Sequence, residues 1–245
     1  MAYPSFDFRA GELLLIDKPA GWTSFDVVNR LRFRLRKLTG VKRIKVGHSG
    51  TLDPMATGLL LIATGKATKR LTELTGLPKA YTGTMHFGAS TPSYDAETEV
   101  DARFPSEHLT QERLEELVAE RFTGVIEQRP PAFSAIKVGG KRAYKAARAG
   151  EALELPLRRV EVTNFALTRV ALPEVDFAVE VSKGTYIRSL AHDLGRAAGS
   201  GAYLTALRRT AIGPYALDEA YDLAELTDFL DDVIARDSPH SPTAE

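Results

Sequence analysis

The sequence predicts an α+β fold, with a mixed and largely antiparallel sheet. Three observations carry that reading. Candidate strands fall in adjacent pairs. Helical segments are interspersed among them rather than alternating strictly with them. No repeat or low-complexity tract interrupts the 245 residues.

The elements follow in order. "ELLLID" reads as a buried strand that ends at the "KPAGW" turn. Thr23 and Ser24 are candidate caps for a helix through "FDVVNRLRFRLRKL", where Val27, Val28, Leu31 and Leu35 recur at helical spacing. "LLLIATG" is a second buried strand, and "KATKRLTEL" a helix after it. "AYTGTMHFG" alternates, with Tyr81, Gly83, Met85 and Phe87 on one face. "ASTPSYDAETE" is a polar loop, and "TQERLEELVAERF" an amphipathic helix stopped by Gly124. "QRPPAFSAIK" is a Pro-stiffened connection, and "GKRAYKAARAG" a short basic helix. "RRVEVTNFALTRV" and "EVDFAVEVSKG" form a strand pair. "TYIRSLAHDLGRAAG" is a helix, "YLTALRRTAIGPYAL" a strand region and "DLAELTDFLDDVI" the last helix. No internal boundary is visible, so residues 1–236 read as one domain and 237–245 as a disordered tail.

An apolar share of 44% with 26% charged residues belongs to an ordinary soluble globular chain with ample material for a core. There is no cysteine, which removes disulfides, thiolate metal sites and a cysteine nucleophile, and which suits the cytoplasm. No secretory signal and no membrane-spanning run is visible. The net charge of zero hides an uneven distribution. Asn29 to Lys45 carries eight basic residues and no acid, a second basic cluster surrounds Lys141, and the last thirty residues hold nine acids against Arg236. Basic clusters of this kind suit a polyanion, because Lys and Arg release counterions condensed on phosphates; a solvated helix face is the ordinary alternative.

The chemistry narrows by elimination. His48, His86, His108, His192 and His240 show no ligand spacing, so no metal is expected. "ATGKAT" lacks the first Gly of a phosphate loop, and "GHSGT" lacks the last Gly of a nucleophile elbow. Asp53, in "GHSGTLDPMATGLL", remains. Asp followed by Pro is a common helix start, and capping is its ordinary role. Yet the run after Pro54 is strand-like, and Gly47 and Gly50 let the backbone approach something bulky. Arg188 stands near a helix start, where a cation opposes the helix dipole. An anionic partner accounts for it; snorkelling to solvent is the default. Tyr81 and Tyr186 are ordinary core aromatics or stacking platforms for a base.

"GHSGTLDPMATGLL" resembles the catalytic-Asp motif of the tRNA pseudouridine synthase B (TruB) family. "LLLIDKPAGWTSFDVV", "KAYTGTMHFGASTPSYDAE", "QRPPAFSAIKVGGKRAYKAARAG", "VSKGTYIRSLAHDLG" and "GAYLTALRRTAIGPY" resemble its other boxes, in order, over roughly positions 10 to 235. The resemblance implies the pseudouridine synthase catalytic fold, a mixed sheet with flanking helices and loops. It implies an isomerase acting on a T-loop uridine of tRNA, position 55, without cofactor or metal, and the T-arm of tRNA as partner. Asp53 corresponds to the essential Asp, acting on ribose or uracil. Tyr81 corresponds to the Tyr that stacks on the flipped base. Arg188 corresponds to the Arg that pairs with the catalytic carboxylate. Tyr186 and Leu207 correspond to pocket residues, and His48 to the His that fills space in the opened loop. Lys18 supports the site rather than reacting. A C-terminal RNA-binding module of the PUA type, carried by many members, looks absent. A cytoplasmic monomer is expected. Two other readings stay open: an RNA-binding or tRNA-folding protein without turnover, and a nucleoside hydrolase with paired carboxylates.

Overall fold

The computed structural model describes residues 5–134, 136–138, 140–151 and 155–237. Along the chain the principal elements are β1 (Leu13–Lys18), α1 (Ser24–Thr39), β2 (Val46–Ser49), β3 (Thr57–Thr64), α2 (Leu71–Gly76) and β4 (Lys79–Phe87). Next come α3 (Gln111–Arg121), β5 (Gly124–Gln128), α4 (Ala143–Arg148), β6 (Arg158–Ala171), β7 (Glu174–Val181) and α5 (Ile187–Ala197). The chain closes with β8 (Ala202–Ile212), β9 (Tyr215–Ala216), β10 (Tyr221–Asp222) and α6 (Leu223–Asp237). Two compact units form: Met1–Leu77 with Arg209–Glu245, and Pro78–Arg208.

In the first unit the strand order is β10–β1–β3–β8, with β2 beside β3 and β9 beside β8. β1 and β2 are antiparallel to β3, while β10 is parallel to β1. The apolar run of β3 is buried on both faces, as its composition requires. Leu60 and Ile62 meet Leu14 and Ile16 of β1, Val27, Leu31 and Leu35 of α1, and Leu226 and Leu230 of α6. Leu59 and Leu61 point the other way, onto Leu74 of α2 and Ile212. α1 starts because Thr23 caps it: its hydroxyl accepts from the Asp26 amide while Asp26 accepts from the Thr23 amide. It stops at Gly40, which takes the left-handed φ of 69°.

In the second unit the order is β8–β4–β7–β6–β5, with β4, β7, β6 and β5 antiparallel along it. The alternation read for β4 holds: Tyr81, Met85 and Phe87 are buried while Thr82 is exposed. Gly83 is glycine because a Cβ there would lie 2.5 Å from the Ala206 carbonyl and press on Phe177. α3 packs on β6 and α5. The fold is therefore α+β on mixed, mostly antiparallel pairing.

One expected element differs. The "KATKRLTEL" helix opens as a 3-10 turn, Gly65–Arg70, and becomes α-helical only at Leu71. Thr68 donates back to the Gly65 carbonyl, a local bond that competes with the α ladder. The last helix runs through Asp237, and the rest of the expected tail, 238–245, lies outside the described residues.

Candidate active site

The loop that carries Asp53 leaves β2 and enters β3. No helix follows Asp53. The chain makes a turn, with the Ala56 amide donating to the Asp53 carbonyl, and then becomes β3. The capping role is thus excluded by geometry: the β-branched and apolar residues after the turn extend rather than coil. Asp53 is half-buried.

The loop is braced from below by three buried side chains. Ser24, 1% exposed, both donates to the Leu52 carbonyl at 3.2 Å and accepts from the Leu52 amide at 2.9 Å. Lys18 is fully buried, and its ammonium donates to the carbonyls of Pro19 at 2.8 Å, Trp22 at 2.6 Å and Pro54 at 3.3 Å. The Gly21 amide reaches the same Pro54 carbonyl at 2.8 Å. Arg209 donates to the carbonyls of Gly50 and Leu59. Donors thus hold the residue on each side of Asp53. His48 sits half-buried in β2; burial first, and the Arg209 charge second, push its pKa down, against a Gly50 backbone bond that raises it. Its ring is therefore a neutral, flat surface near pH 7.

The second unit holds the other sequence-indicated residues. Arg188 is 4% exposed, not snorkelling to solvent as its position off the apolar stripe suggested. Its guanidinium donates to the carbonyls of Ser93 and Phe133, each at 3.0 Å, and lies 3.3 Å from the carboxylate of Asp95. Asp95 is fully buried, and its other oxygen accepts from the Ser93 hydroxyl and the Glu97 amide. Tyr186 is the N-cap of α5. Gln128, 2% exposed, grips its backbone twice, accepting from the Tyr186 amide at 2.8 Å and donating to its carbonyl at 3.0 Å. Tyr81 on β4 and Leu207 on β8 are buried. Tyr94, next to Asp95, takes a left-handed φ of 63° and stacks its ring on His192 with centroids 3.8 Å apart. That backbone region is unfavourable for a bulky residue. One turn of α5 separates Arg188 from His192, so one helix face holds both residues of the Tyr94–Asp95 pair.

Lys18, His48 and Asp53 therefore belong to the first unit, and Tyr81, Tyr186, Arg188 and Leu207 to the second. Sequence reasoning passed over four supports. Arg209 had a readable signal, since alternation along β8 from Leu207 places it inward. Ser24 reads as a cap in the sequence, but Thr23 caps α1 and Ser24 holds Leu52. Asp95 lay in a stretch read only as a polar loop, and Gln128 in a connection without periodicity. Of the basic stretch 29–45, Arg34 is bound to Asp231, and Arg32 to Asn29 and the Val46 carbonyl. Arg36, Lys37, Lys42, Arg43 and Lys45 stay exposed.

Comparison with known proteins identifies the family. The model for the N-terminal domain of TruB family pseudouridylate synthases matches residues 36–187, and that for the tRNA pseudouridylate synthase B C-terminal domain matches residues 188–238. A tRNA pseudouridine synthase B of Flavobacterium johnsoniae is 54% identical over 218 residues, covering 89% of this chain and 95% of the relative. One of Phocaeicola vulgatus is 50% identical, with 92% and 95% covered. Among solved structures, a chain from a Cbf5-Nop10-Gar1 complex superposes with a TM-score of 0.68 at 32% identity, over 91% of this chain. This chain spans about half of that longer one, 55%. The chain belongs to the TruB family of tRNA pseudouridine synthases, and it is an isomerase that makes pseudouridine in tRNA.

Proposed function

We propose that the enzyme acts on a T-loop uridine, position 55, with Asp53 as the essential residue and without cofactor or metal. In this reaction the bond from C1′ to N1 of uracil breaks, the base turns, and C1′ bonds to C5. The C5 proton is lost and N1 gains one, so atoms balance with no co-reactant. The observation that carries the reading is the bracing of the Asp53 loop. Buried Lys18, Arg209 and Ser24 spend their donors on backbone either side of a carboxylate that starts no helix. A carboxylate is a competent nucleophile in glycosyl transfer, and such a group has to be held to a fraction of an ångström. Tyr81, Tyr186 and Leu207 are assigned to the flipped uridine, and His48 to the opened loop, on the family resemblance. A paired base must leave its stack before it can react, and aromatic and apolar side chains are what receive it. The exposed basic side chains of residues 36–45 suit the phosphates of the T-arm. The same reading takes the enzyme as a cytoplasmic monomer.

The test is a positional one. Unmodified tRNA transcripts are incubated with the enzyme and mapped by carbodiimide-blocked reverse transcription, with free uracil assayed in parallel. We expect one stop, in the T-loop at position 55, and no free uracil. Uracil release at that position makes the protein a hydrolase. Tight binding with no stop makes it an RNA-binding protein without turnover.

A further inference from the structure

We propose that Arg209 is a positioning residue for the Asp53 loop, acting through its bridge between the Gly50 and Leu59 carbonyls. The inference rests on Asp53 being the reacting residue. Arg209 is 1% exposed, among the largest fully buried side chains of the chain. Its Nε donates to the Leu59 carbonyl at 2.7 Å and its Nη2 to the Gly50 carbonyl at 3.0 Å. Among the described residues no carboxylate pairs with it. That is an expensive arrangement. A buried cation loses its hydration even after relaxation, and two neutral carbonyls offset that less well than a carboxylate does.

The two carbonyls explain why the arrangement is kept. Gly50 begins the loop, with a left-handed φ of 77°, and stands three residues before Asp53. Leu59 lies in β3, six residues after it. One planar fork therefore ties the entrance of the loop to the strand that receives its exit, and fixes the span that Asp53 occupies. The approach is close by construction. A Cβ at Gly58, whose φ is 99°, would lie 2.3 Å from the Arg209 carbonyl oxygen, so the backbone of β3 is pressed against that of Arg209. The fork also sets the charge beneath the loop: burial first, and the Arg209 charge second, lower the pKa of His48. A neutral donor of similar size cannot do both. A Lys keeps the charge but not the planar two-point geometry.

The test compares wild type, Arg209→Lys and Arg209→Gln as full-length protein. Four quantities are read: single-turnover modification rate, tRNA Kd, amide hydrogen exchange, and the His48 pKa by NMR. We expect Kd within about 2-fold of wild type and a rate loss approaching 100-fold in Arg209→Gln, the scale at which small misplacements act. Arg209→Lys should recover part of that rate. Exchange should quicken at Gly50, Thr51 and Leu52 while the amides of β3 stay protected. The His48 pKa should rise in Arg209→Gln but not in Arg209→Lys. Unchanged exchange in the loop overturns the proposal, whatever the activity. So does a rate that holds at the wild-type level, or one that falls only in proportion to tRNA affinity. If Arg209→Gln does not fold, Arg209→Lys alone decides through exchange and rate. An active Asp53→Asn control instead overturns the reading of Asp53, which the exchange measurement does not depend on.

Discussion

Arg188 and Asp95 form a buried pair, and their value lies less in stability than in what happens when one is removed. Arg188 keeps the Ser93 and Phe133 carbonyls when Asp95 is removed, so the loss is that of one charged contact rather than of every partner. We therefore expect Asp95→Ala to lower unfolding stability by about 2 kcal/mol, and the double variant Asp95→Ala with Arg188→Met to recover part of it. Chemical denaturation of the four proteins measures the coupling; strict additivity would show that the 3.3 Å contact carries none. Gln128 is a second case. Gln128→Met keeps the volume but removes both side-chain bonds to the Tyr186 backbone, whose carbonyl still accepts from the Leu190 amide, for a cost of about 1–2 kcal/mol. An unchanged denaturation midpoint would contradict it. Neither residue announced itself in the sequence. Asp95 sits among Ser, Tyr, Glu and Thr, where no apolar period marks a buried position, and Gln128 ends a strand before two prolines. Asp53 was legible for the opposite reason, since glycines before it and a strand-like run after it left no helix to cap.

At the scale of elements, the helices with clean apolar stripes were the readable ones. Val27, Val28, Leu31 and Leu35 identify α1, and Leu114, Leu117 and Val118 identify α3, because a one-sided stripe at period 3.6 has few other uses. β2, four residues holding two that are half-buried, had too little pattern to be seen. In α5 two neighbours titrate in opposite senses. Burial first, and Arg196 second, hold His192 down at about 4, while burial pushes Asp193 up to about 6 against the lowering charge of Arg196. The neutral His contributes stability above its ordinary 6.5, and that contribution is lost as pH falls toward about 4. The protonated Asp contributes at low pH and loses that as pH rises through about 6. Between about 4 and 6 the two oppose each other. Asp193→Asn should therefore make stability climb with pH across that window, and His192→Asn should make it fall. Thermal midpoints taken through the window test this; parallel profiles for the two variants would refute it.

At the scale of the whole molecule, a net charge of zero does not describe what an RNA meets. Arg36, Lys37, Lys42, Arg43 and Lys45 stay exposed, whereas Arg32 and Arg34 are spent on the protein itself. If these side chains meet phosphates, Lys42→Gln with Arg43→Gln weakens tRNA binding and lowers the slope of log Kd against log salt by about 1 per lost contact. An unchanged slope places the RNA elsewhere. Charge distribution was legible from sequence in outline, but which arginines are already spent is decided by tertiary neighbours such as Asp231. The central claim is narrower than binding. It is that Asp53 is there for chemistry, and one comparison tests it most directly. Unmodified tRNA is given to wild type and to Asp53→Asn, with binding and T-loop pseudouridine measured for both. The account predicts equal binding, one modified uridine with wild type and none with Asp53→Asn. Pseudouridine formed by Asp53→Asn at the wild-type rate would contradict it.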